Sequence, residues 1–113
     1  MSQKITILIL IVLVAVLTSC TNTAFDSKKW KNWNGKESFV RWDMTDDLIN
    51  NYDLQGKTHK EIENLLGKPS NGIASSPDDY YYDLGPCRRG IDYGSLYIEF
   101  KNDKVIQVEK YCH

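Results

Sequence analysis

The pattern of hydrophobic and polar residues divides the chain into an apolar N-terminal run, a polar segment, two helices and three strands. Residues 5–17 are almost continuously aliphatic, whereas residues 21–38 are rich in Asn, Lys, Ser and Thr and show no apolar period. A polar segment of this kind is typical of a flexible tether. We therefore expect a folded domain over residues 41–113, preceded by a tether over residues 20–40 and an N-terminal segment over residues 1–19.

Both predicted helices have apolar residues at intervals of three and four. The first covers residues 42–52, and we expect Asp43 or Thr45 as its N-cap. Its apolar face is formed by Met44, Leu48, Ile49 and Tyr52.

The second helix has stronger signals at its ends. Thr58 and Glu61 have the spacing of a capping box, in which each side chain accepts a hydrogen bond from a free backbone N–H. Gly67 is placed to adopt a left-handed conformation after the last turn, and Pro69 prevents continuation of the helix. The buried stripe of this helix is formed by Ile62, Leu65 and Leu66.

Three strands are predicted after a polar loop over residues 70–78. Residues 80–84 are mostly aromatic, and residues 95–101 and 105–111 alternate between apolar and polar side chains. Such alternation is typical of antiparallel strands with one buried face. The chain is therefore predicted to be α+β, with two N-terminal helices packed on a three-stranded antiparallel meander.

The apolar faces of the last two strands predict how they pair. A two-residue turn would place Ile98 opposite Gln107, whereas a three-residue loop over residues 102–104 places it opposite Val108 and places Phe100 opposite Ile106. A slip of one residue moves a whole set of side chains to the other face of the sheet. We therefore expect the three-residue loop.

The N-terminal segment has the order of a secretory signal: Lys4 supplies positive charge, an apolar run follows, and small residues lead to Cys20. The sequence LTSC at 17–20 resembles the signal of bacterial lipoproteins, in which the cysteine is acylated and the chain is cut before it. The 13 residues of the run would span roughly 20 Å as a helix, less than the ~30 Å of a bilayer core. We therefore favour a lipid anchor, with palmitate among its acyl chains, over a transmembrane helix. Thr21 rather than an aspartate follows Cys20, which resembles the sorting pattern for the periplasmic face of the outer membrane.

The number of cysteines agrees with lipidation of Cys20. The chain has three cysteines, and an odd number is unusual in an exported protein. Assigning Cys20 to lipid leaves Cys87 and Cys112, which we expect to form a disulfide in an oxidising compartment. The alternative, a catalytic or metal-binding thiol pair, has no C-x-x-C motif to support it.

Parts of the folded region resemble the SmpA/OmlA (BamE-like) family of small bacterial outer-membrane lipoproteins. The sequence GKTHKEIENLLGKP at 56–69 is similar to the family's G-x-T-x-x-E-V-x-x-L-L-G-x-P helix, and YDLG at 82–85 and LYIEF at 96–100 are similar to its strands. The resemblance covers roughly residues 44–108. It implies two helices packed on a three-stranded sheet and a non-catalytic interaction role in outer-membrane assembly or envelope integrity.

The chain departs from this family in two places. It lacks the Gln-Gly-Asn stretch that precedes the first helix in the family, and its cysteine pair and residues 87–90 look peculiar to its subgroup. The same unit of two helices and a sheet also resembles proteins that inhibit secreted enzymes. The alternative expectation is therefore an inhibitor or immunity-type lipoprotein that blocks a secreted enzyme or toxin.

Two arginines are candidates for contact with an envelope protein or with lipid headgroups. Arg88 and Arg89 lie in a loop bounded by Gly and Pro residues, beside the expected disulfide. Guanidinium groups at such a place can bind carboxylates or anionic headgroups. The alternative is that they pair with Asp83 or Asp92.

Two tryptophans in the predicted tether are candidates for the same role. Trp30 and Trp33 stand among lysines, and aromatic residues flanked by lysines are suited to a membrane or protein interface. Docking on the domain's own surface is the alternative.

The sequence gives little support to an enzyme or a nucleic-acid-binding protein. It has no H-E-x-x-H, G-x-S-x-G or phosphate-binding glycine motif. Adjacent acids in the pairs Asp46-Asp47 and Asp78-Asp79 point in different directions, so we expect solvated charges, and we expect His59 to be an exposed surface residue. The formal net charge of −1 does not suggest a nucleic-acid partner, which would need a basic patch or strip. We predict no catalytic residue, no cofactor and no metal site.

Overall fold

The computed structural model of the chain describes residues 23–71, 76–88 and 92–113, which form an α+β domain. In chain order the elements are α1 (Ser27–Asn32), α2 (Val40–Asn51), α3 (His59–Leu66), β1 (Tyr80–Pro86), β2 (Tyr93–Lys101) and β3 (Lys104–Cys112). The strands form one antiparallel sheet in the order β1-β2-β3. The predicted fold class and the meander are confirmed, whereas the predicted segment of residues 1–19 lies outside the described residues.

Helix α1 corrects the predicted number of helices and the extent of the tether. Two helices are expected from the sequence, but residues 27–32 form a third. Phe25 and Trp30 are buried, with exposed fractions of 7% and 0%. A helix of six residues is too short to show an apolar period. The folded domain therefore begins well before residue 41.

Local and long-range hydrogen bonds explain why α1 forms. The carboxylate of Asp26 caps the helix by accepting from the N–H groups of Lys28 and Lys29, as an N-cap aspartate does. The hydroxyl of Ser27 donates to the carbonyl oxygen of Leu65 in α3. The bonds to Asp26 satisfy the free N–H groups at the start of α1, and the bond from Ser27 fastens α1 to α3.

The start of α3 confirms the sequence prediction, and the start of α2 does not. Thr58 and Glu61 form the expected capping box. The N-cap of α2 is Phe39, with a φ of 70° and no side-chain hydrogen bond to the helix. Asp43 and Thr45 lie inside the helix, so their prediction as N-caps is wrong.

The hydrophobic core lies between the helices and one face of the sheet. Most residues predicted on the apolar faces of both helices and of β2 are buried in it, but Ile49 and Leu65 are only partly buried. Tyr52 is 39% exposed, so its prediction as part of the buried face is wrong. The core also includes Phe25 and Trp30, which the sequence pattern leaves out. Its other members include Met44, Leu48, Ile62, Leu66, Tyr82, Leu84, Leu96, Ile98, Phe100 and Val105.

The pairing of β2 with β3 confirms one expected pair and corrects another. Ile98 lies opposite Val108 as predicted, but Phe100 lies opposite Val105 instead of Ile106. Val105 is buried, whereas the side chain of Ile106 is 45% exposed.

A short turn and a bulge together account for this register. The turn has two residues, Asn102 and Asp103, both with positive φ (53° and 62°), which is the conformation that suits a tight hairpin. The register shifts between Glu99 and Phe100, so Ile106 is the extra residue of β3. Because the bulge absorbs one residue, the apolar residues beyond it return to the core face. The predicted three-residue loop is therefore wrong.

Candidate functional site

A groove between α1 and the start of α2 brings together two of the four predicted contact residues, Trp33 and Arg88. Its volume is about 730 Å³. We call it the α1–α2 groove; the residues that define its walls are Lys28, Lys29, Trp33, Phe39, Asp43 and Arg88. Residues 23 and 24 also line it, so it lies beside the N-terminal end of the described domain.

Arg88 lies at the groove in a bidentate ion pair with Asp43 of α2. Its Nε donates to Asp43 Oδ1 at 2.8 Å, and its Nη2 donates to Oδ2 at 2.6 Å. The hydrogen bond with Asp43 raises the pKa of Arg88. Arg88 therefore pairs within the domain, but with Asp43 and not with Asp83 or Asp92, the partners named in the alternative from the sequence. The Arg88 side chain is still 58% exposed and can contact another molecule.

Phe39 forms the part of the groove wall below this ion pair. The Arg88 guanidinium carbon lies 4.4 Å from the centre of the Phe39 ring, a distance typical of a cation–π contact. The left-handed backbone of Phe39 costs roughly 1–2 kcal/mol for a residue with a side chain. A strained aromatic residue held under an arginine is the kind of feature that clusters at functional sites.

Trp33 forms another wall of the groove. Its Nε1 donates to the carbonyl oxygen of Glu37 at 2.7 Å. Its ring packs on Gly85 of β1, where an added Cβ would lie only 3.1 Å from Trp33 Cζ2. One part of the ring therefore rests on the sheet while the residue stays partly exposed.

Trp30 does not contribute to the groove, which corrects its prediction as a contact residue. Its side chain is fully buried, and its ring packs against the rings of Phe25 and Tyr82 at centroid distances of 5.8 and 6.2 Å. Within the described ranges, its Nε1 is a buried side-chain polar atom that has no hydrogen-bond partner. The apolar surface gained by burial decides the position of this ring.

The guanidinium of Arg41 contacts the rings of both Trp30 and Trp33. The pattern of the sequence did not predict Arg41 as a residue of this site. Its guanidinium carbon lies 4.9 Å from the ring centre of Trp30 and 4.8 Å from that of Trp33. Its Nε and Nη1 donate to the carbonyl oxygens of Trp30 and Asp83, both at 3.0 Å. Burial lowers the pKa of Arg41, and Asp83 and Tyr82 oppose that shift. A guanidinium tolerates such burial because it is weakly hydrated and stacks on aromatic rings.

The predicted disulfide between Cys87 and Cys112 is confirmed. Cys87 is buried and follows β1, and Cys112 ends β3, so the bridge fastens the two outer strands at one end of the sheet. The other two predicted residues, Cys20 and Arg89, lie outside the described residues.

One member of each acidic pair differs from the sequence expectation, whereas Asp46 and Asp78 are exposed as expected. Asp79 is buried, and its carboxylate accepts hydrogen bonds from the hydroxyl of Tyr97 at 2.7 Å and the N–H of Phe100 at 3.0 Å. Asp47 accepts the N–H of Phe25 at 2.7 Å, and this bond lowers the pKa of Asp47. These carboxylates hold backbone and side-chain groups in place.

His59 is more enclosed than expected. Its side chain is 26% exposed, and Asp103 and the backbone of Asp78 bind both of its ring nitrogens. Neither around His59 nor at any other place in the described ranges is there a group of three or more His, Cys, Asp or Glu residues that could hold a metal ion. No helix in those ranges has the length and apolar character needed to cross a membrane.

No family model, no curated protein and no solved structure matches this chain. The likeness to the BamE-like family therefore stays a prediction from the motifs. The α1–α2 groove is the surface on which two of the residues predicted from the sequence meet in the structure.

Proposed function

We propose that this chain is a lipid-anchored lipoprotein of the bacterial cell envelope that acts as a non-catalytic interaction module. The α1–α2 groove is its docking face, and an envelope protein is its partner. Lipid on Cys20 holds it at the periplasmic face of the outer membrane. The lipoprotein-like sequence at 17–20 and the position of the groove support the proposal.

The observation that carries the proposal is the short stretch of chain between Cys20 and the folded domain. Phe25 is fixed, because its N–H donates to Asp47 and its ring packs against Trp30 and Tyr52. An extended chain spans at most about 3.5 Å per residue, so the separation from Cys20 to Phe25 reaches roughly 17 Å. Acyl chains on Cys20 would keep the domain, and the groove beside residues 23 and 24, close to the bilayer.

The composition of the groove supports a protein as the partner. Tryptophan and arginine are enriched at the energetically important centres of protein interfaces, and Trp33 and Arg88 both line the groove. Its charges are mixed, since Asp26, Glu37 and Asp43 lie among Lys28, Lys29 and Arg88. A surface with both signs of charge suits a protein with a complementary pattern better than a uniformly anionic lipid surface.

The resemblance to the BamE-like family supports outer-membrane assembly or envelope integrity as the process. The alternative, inhibition of a secreted enzyme or toxin, would use an exposed surface of the same kind. The identity of the bound partner distinguishes the two.

Photo-crosslinking from the groove tests the proposal in a double-membraned bacterium fed labelled palmitate. A photo-crosslinking amino acid replaces Lys29, which is exposed at the groove, in the full chain. We expect palmitate on the chain, recovery with outer membranes and one discrete crosslinked envelope protein. Cys20→Ser should reduce both the label and the crosslink to background, because the domain is no longer held at the membrane.

The matched control places the same amino acid at Lys104, which is exposed at the opposite end of the β2–β3 hairpin from Cys112. We expect no discrete product there. Equal palmitate incorporation with and without Cys20 would contradict the lipid anchor. Equal products from Lys29 and Lys104 would contradict docking at the groove, and capture of a secreted enzyme would favour the inhibitor.

A further inference from the structure

His59 joins three separate segments of the domain. It is the first residue of α3, and its ring Nδ1 lies 2.6 Å from Oδ1 of Asp103 in the β2–β3 turn. Its backbone N–H donates to the same oxygen at 3.1 Å. On the other side of the ring, Nε2 lies 2.7 Å from the carbonyl oxygen of Asp78, in the loop before β1. One side chain therefore connects a helix, a turn and a loop.

Both nitrogens of this ring face oxygen atoms that only accept hydrogen bonds. An ionised carboxylate and a backbone carbonyl have no proton to donate, and a neutral imidazole carries a single N–H. A neutral ring would leave a nitrogen lone pair against an oxygen at one of the two contacts. Only the doubly protonated imidazolium makes both bonds.

The face of the Phe100 ring also favours a positive charge on the imidazole. The imidazole is stacked on Phe100, with 3.7 Å between ring centres and 14° between planes. The Tyr80 ring meets it edge to face at 5.0 Å. A cation over the face of an aromatic ring is attracted by the quadrupole of that ring. The partial exposure of His59 leaves its ring able to exchange protons with solvent.

We propose that His59 is a pH-dependent clasp, whose protonated ring holds residues 76–78 against α3 and the β2–β3 turn, and whose neutral form releases them. This inference is independent of the proposed function, since it uses neither the groove nor the lipid anchor. The residues that respond to pH lie around His59, and none of them lines the α1–α2 groove.

The charged groups around His59 agree with this assignment. Asp103 faces the ring from the turn and Asp78 from the loop. Tyr80 of β1 lies with its ring centre 5.0 Å from that of His59, and burial raises the pKa of its phenol. Asp79 is turned away toward Tyr97 and the backbone of β2. On α3 itself, Glu61 is engaged in the capping box at Thr58. Burial lowers the pKa of His59, but the hydrogen bonds to Asp78 and Asp103 outweigh it and raise the pKa above its ordinary value.

The sign of this shift fixes the direction of the response. A raised pKa in the folded state means that the stabilisation is fully present below the ordinary imidazole value of about 6.5. It is lost as the pH rises through the higher value in the folded protein. Because the charged Asp103 is the stronger acceptor, the remaining proton stays on Nδ1 and the bond to Asp78 opens first. Asp79 remains buried and bonded to β2, which confines the release to residues 76–78.

Nuclear magnetic resonance of the full chain in detergent micelles tests the clasp. The sequence contains two histidines, so the two imidazole signals can be assigned with a single His59→Gln variant. We expect the His59 signal to titrate above the ordinary range. We also expect hydrogen-exchange protection of the Asp79 amide, which bonds to the Ser76 carbonyl, to fall severalfold between pH 5.5 and 8.5 after correction for intrinsic exchange.

Two substitutions separate the hydrogen bonds from general charge effects. Asp103→Asn removes the charged acceptor and should lower the proton affinity of His59 by roughly threefold to tenfold, leaving the His113 signal unchanged. Asp78→Asn keeps the backbone carbonyl and should have a smaller effect. Titration of wild-type His59 at or below the ordinary value, protection that does not vary with pH, or no response to Asp103→Asn would each overturn the proposal.

Discussion

Trp30 and Trp33 have similar neighbours in the sequence and reach different environments. The Trp30 ring is enclosed by Phe25 and Tyr82, whereas Trp33 lies at the groove and bonds to a backbone carbonyl. Arg41 stacks between the two rings and fixes both positions. Burial of apolar area favours placing each ring inside. Phe25 and Tyr82 pack around the Trp30 ring, whereas the Trp33 ring packs on Gly85 of β1 and stays partly exposed.

Gly94 shows how a single Cβ can decide the packing of an aromatic residue. It lies in β2 opposite Cys112, and an added Cβ would lie 2.6 Å from two ring atoms of Trp42. That distance is far below ordinary van der Waals contact. On Trp42, the Nζ of Lys110 lies 3.8 Å from the ring centre in a cation–π contact. The absence of a side chain at Gly94 therefore allows α2 to approach the sheet.

We predict that Gly94→Ala lowers the free energy of unfolding by roughly 1–3 kcal/mol, the usual cost of overpacking a close contact. Urea unfolding at equilibrium measures the change. The double variant Gly94→Ala/Trp42→Leu should lose less than the sum of the two single variants, because the smaller side chain removes the clash. If the losses of the two single variants simply add in the double variant, the contact with Trp42 is not the cause of the Gly94→Ala destabilisation.

Among the elements, α2 and α3 differ in how far their starts can be predicted. The start of α3 depends on Thr58 and Glu61, which are neighbours in sequence and bind each other's backbone groups. The start of α2 depends on Phe39 in a left-handed conformation beneath Arg88. The first arrangement is local, whereas the second requires a residue from beyond β1.

We predict that Thr58→Ala destabilises the domain by about 1 kcal/mol, as is typical for loss of an N-cap side chain. The substitution removes the hydroxyl that accepts the N–H of Glu61 at 3.2 Å. Thr58→Ser, which keeps that hydroxyl, is the matched control and should restore most of the stability. The measurement is the midpoint of urea unfolding, and equal losses in both variants would contradict capping as the cause.

In the whole molecule, long-range contacts fasten both ends of the sheet. The disulfide joins the outer strands at one end, and Arg88 joins the neighbouring loop to α2 through Asp43. At the other end, His59 joins α3 to the β2–β3 turn. A small domain buries a limited core, so each such link is a large share of its stability.

We predict that Cys87→Ala/Cys112→Ala lowers the free energy of unfolding by roughly 3–4 kcal/mol, the chain-entropy value for a loop of this length. The two cysteines are 25 residues apart, and their link restricts the unfolded chain. Denaturant unfolding with and without reductant measures the loss. The control is Cys20→Ser, whose unfolding midpoint should fall on addition of reductant as much as that of the wild type. An unchanged midpoint in the double variant would show that the bridge contributes little.

The sequence by itself determined the elements whose signals lie between near neighbours. The capping box of α3, the alternation in β2 and the pairing of Cys87 with Cys112 were predicted from local pattern or simple exclusion. Each of these three predictions agrees with the structure. Only the tertiary structure decided that Phe25 and Trp30 join the core, that Ile106 bulges outward, and that the α1–α2 groove exists. Arg88 and Asp43 are 45 residues apart, and His59 and Asp103 are 44 apart. Such partners meet because the chain folds back on itself, and no periodicity within a single segment encodes that meeting.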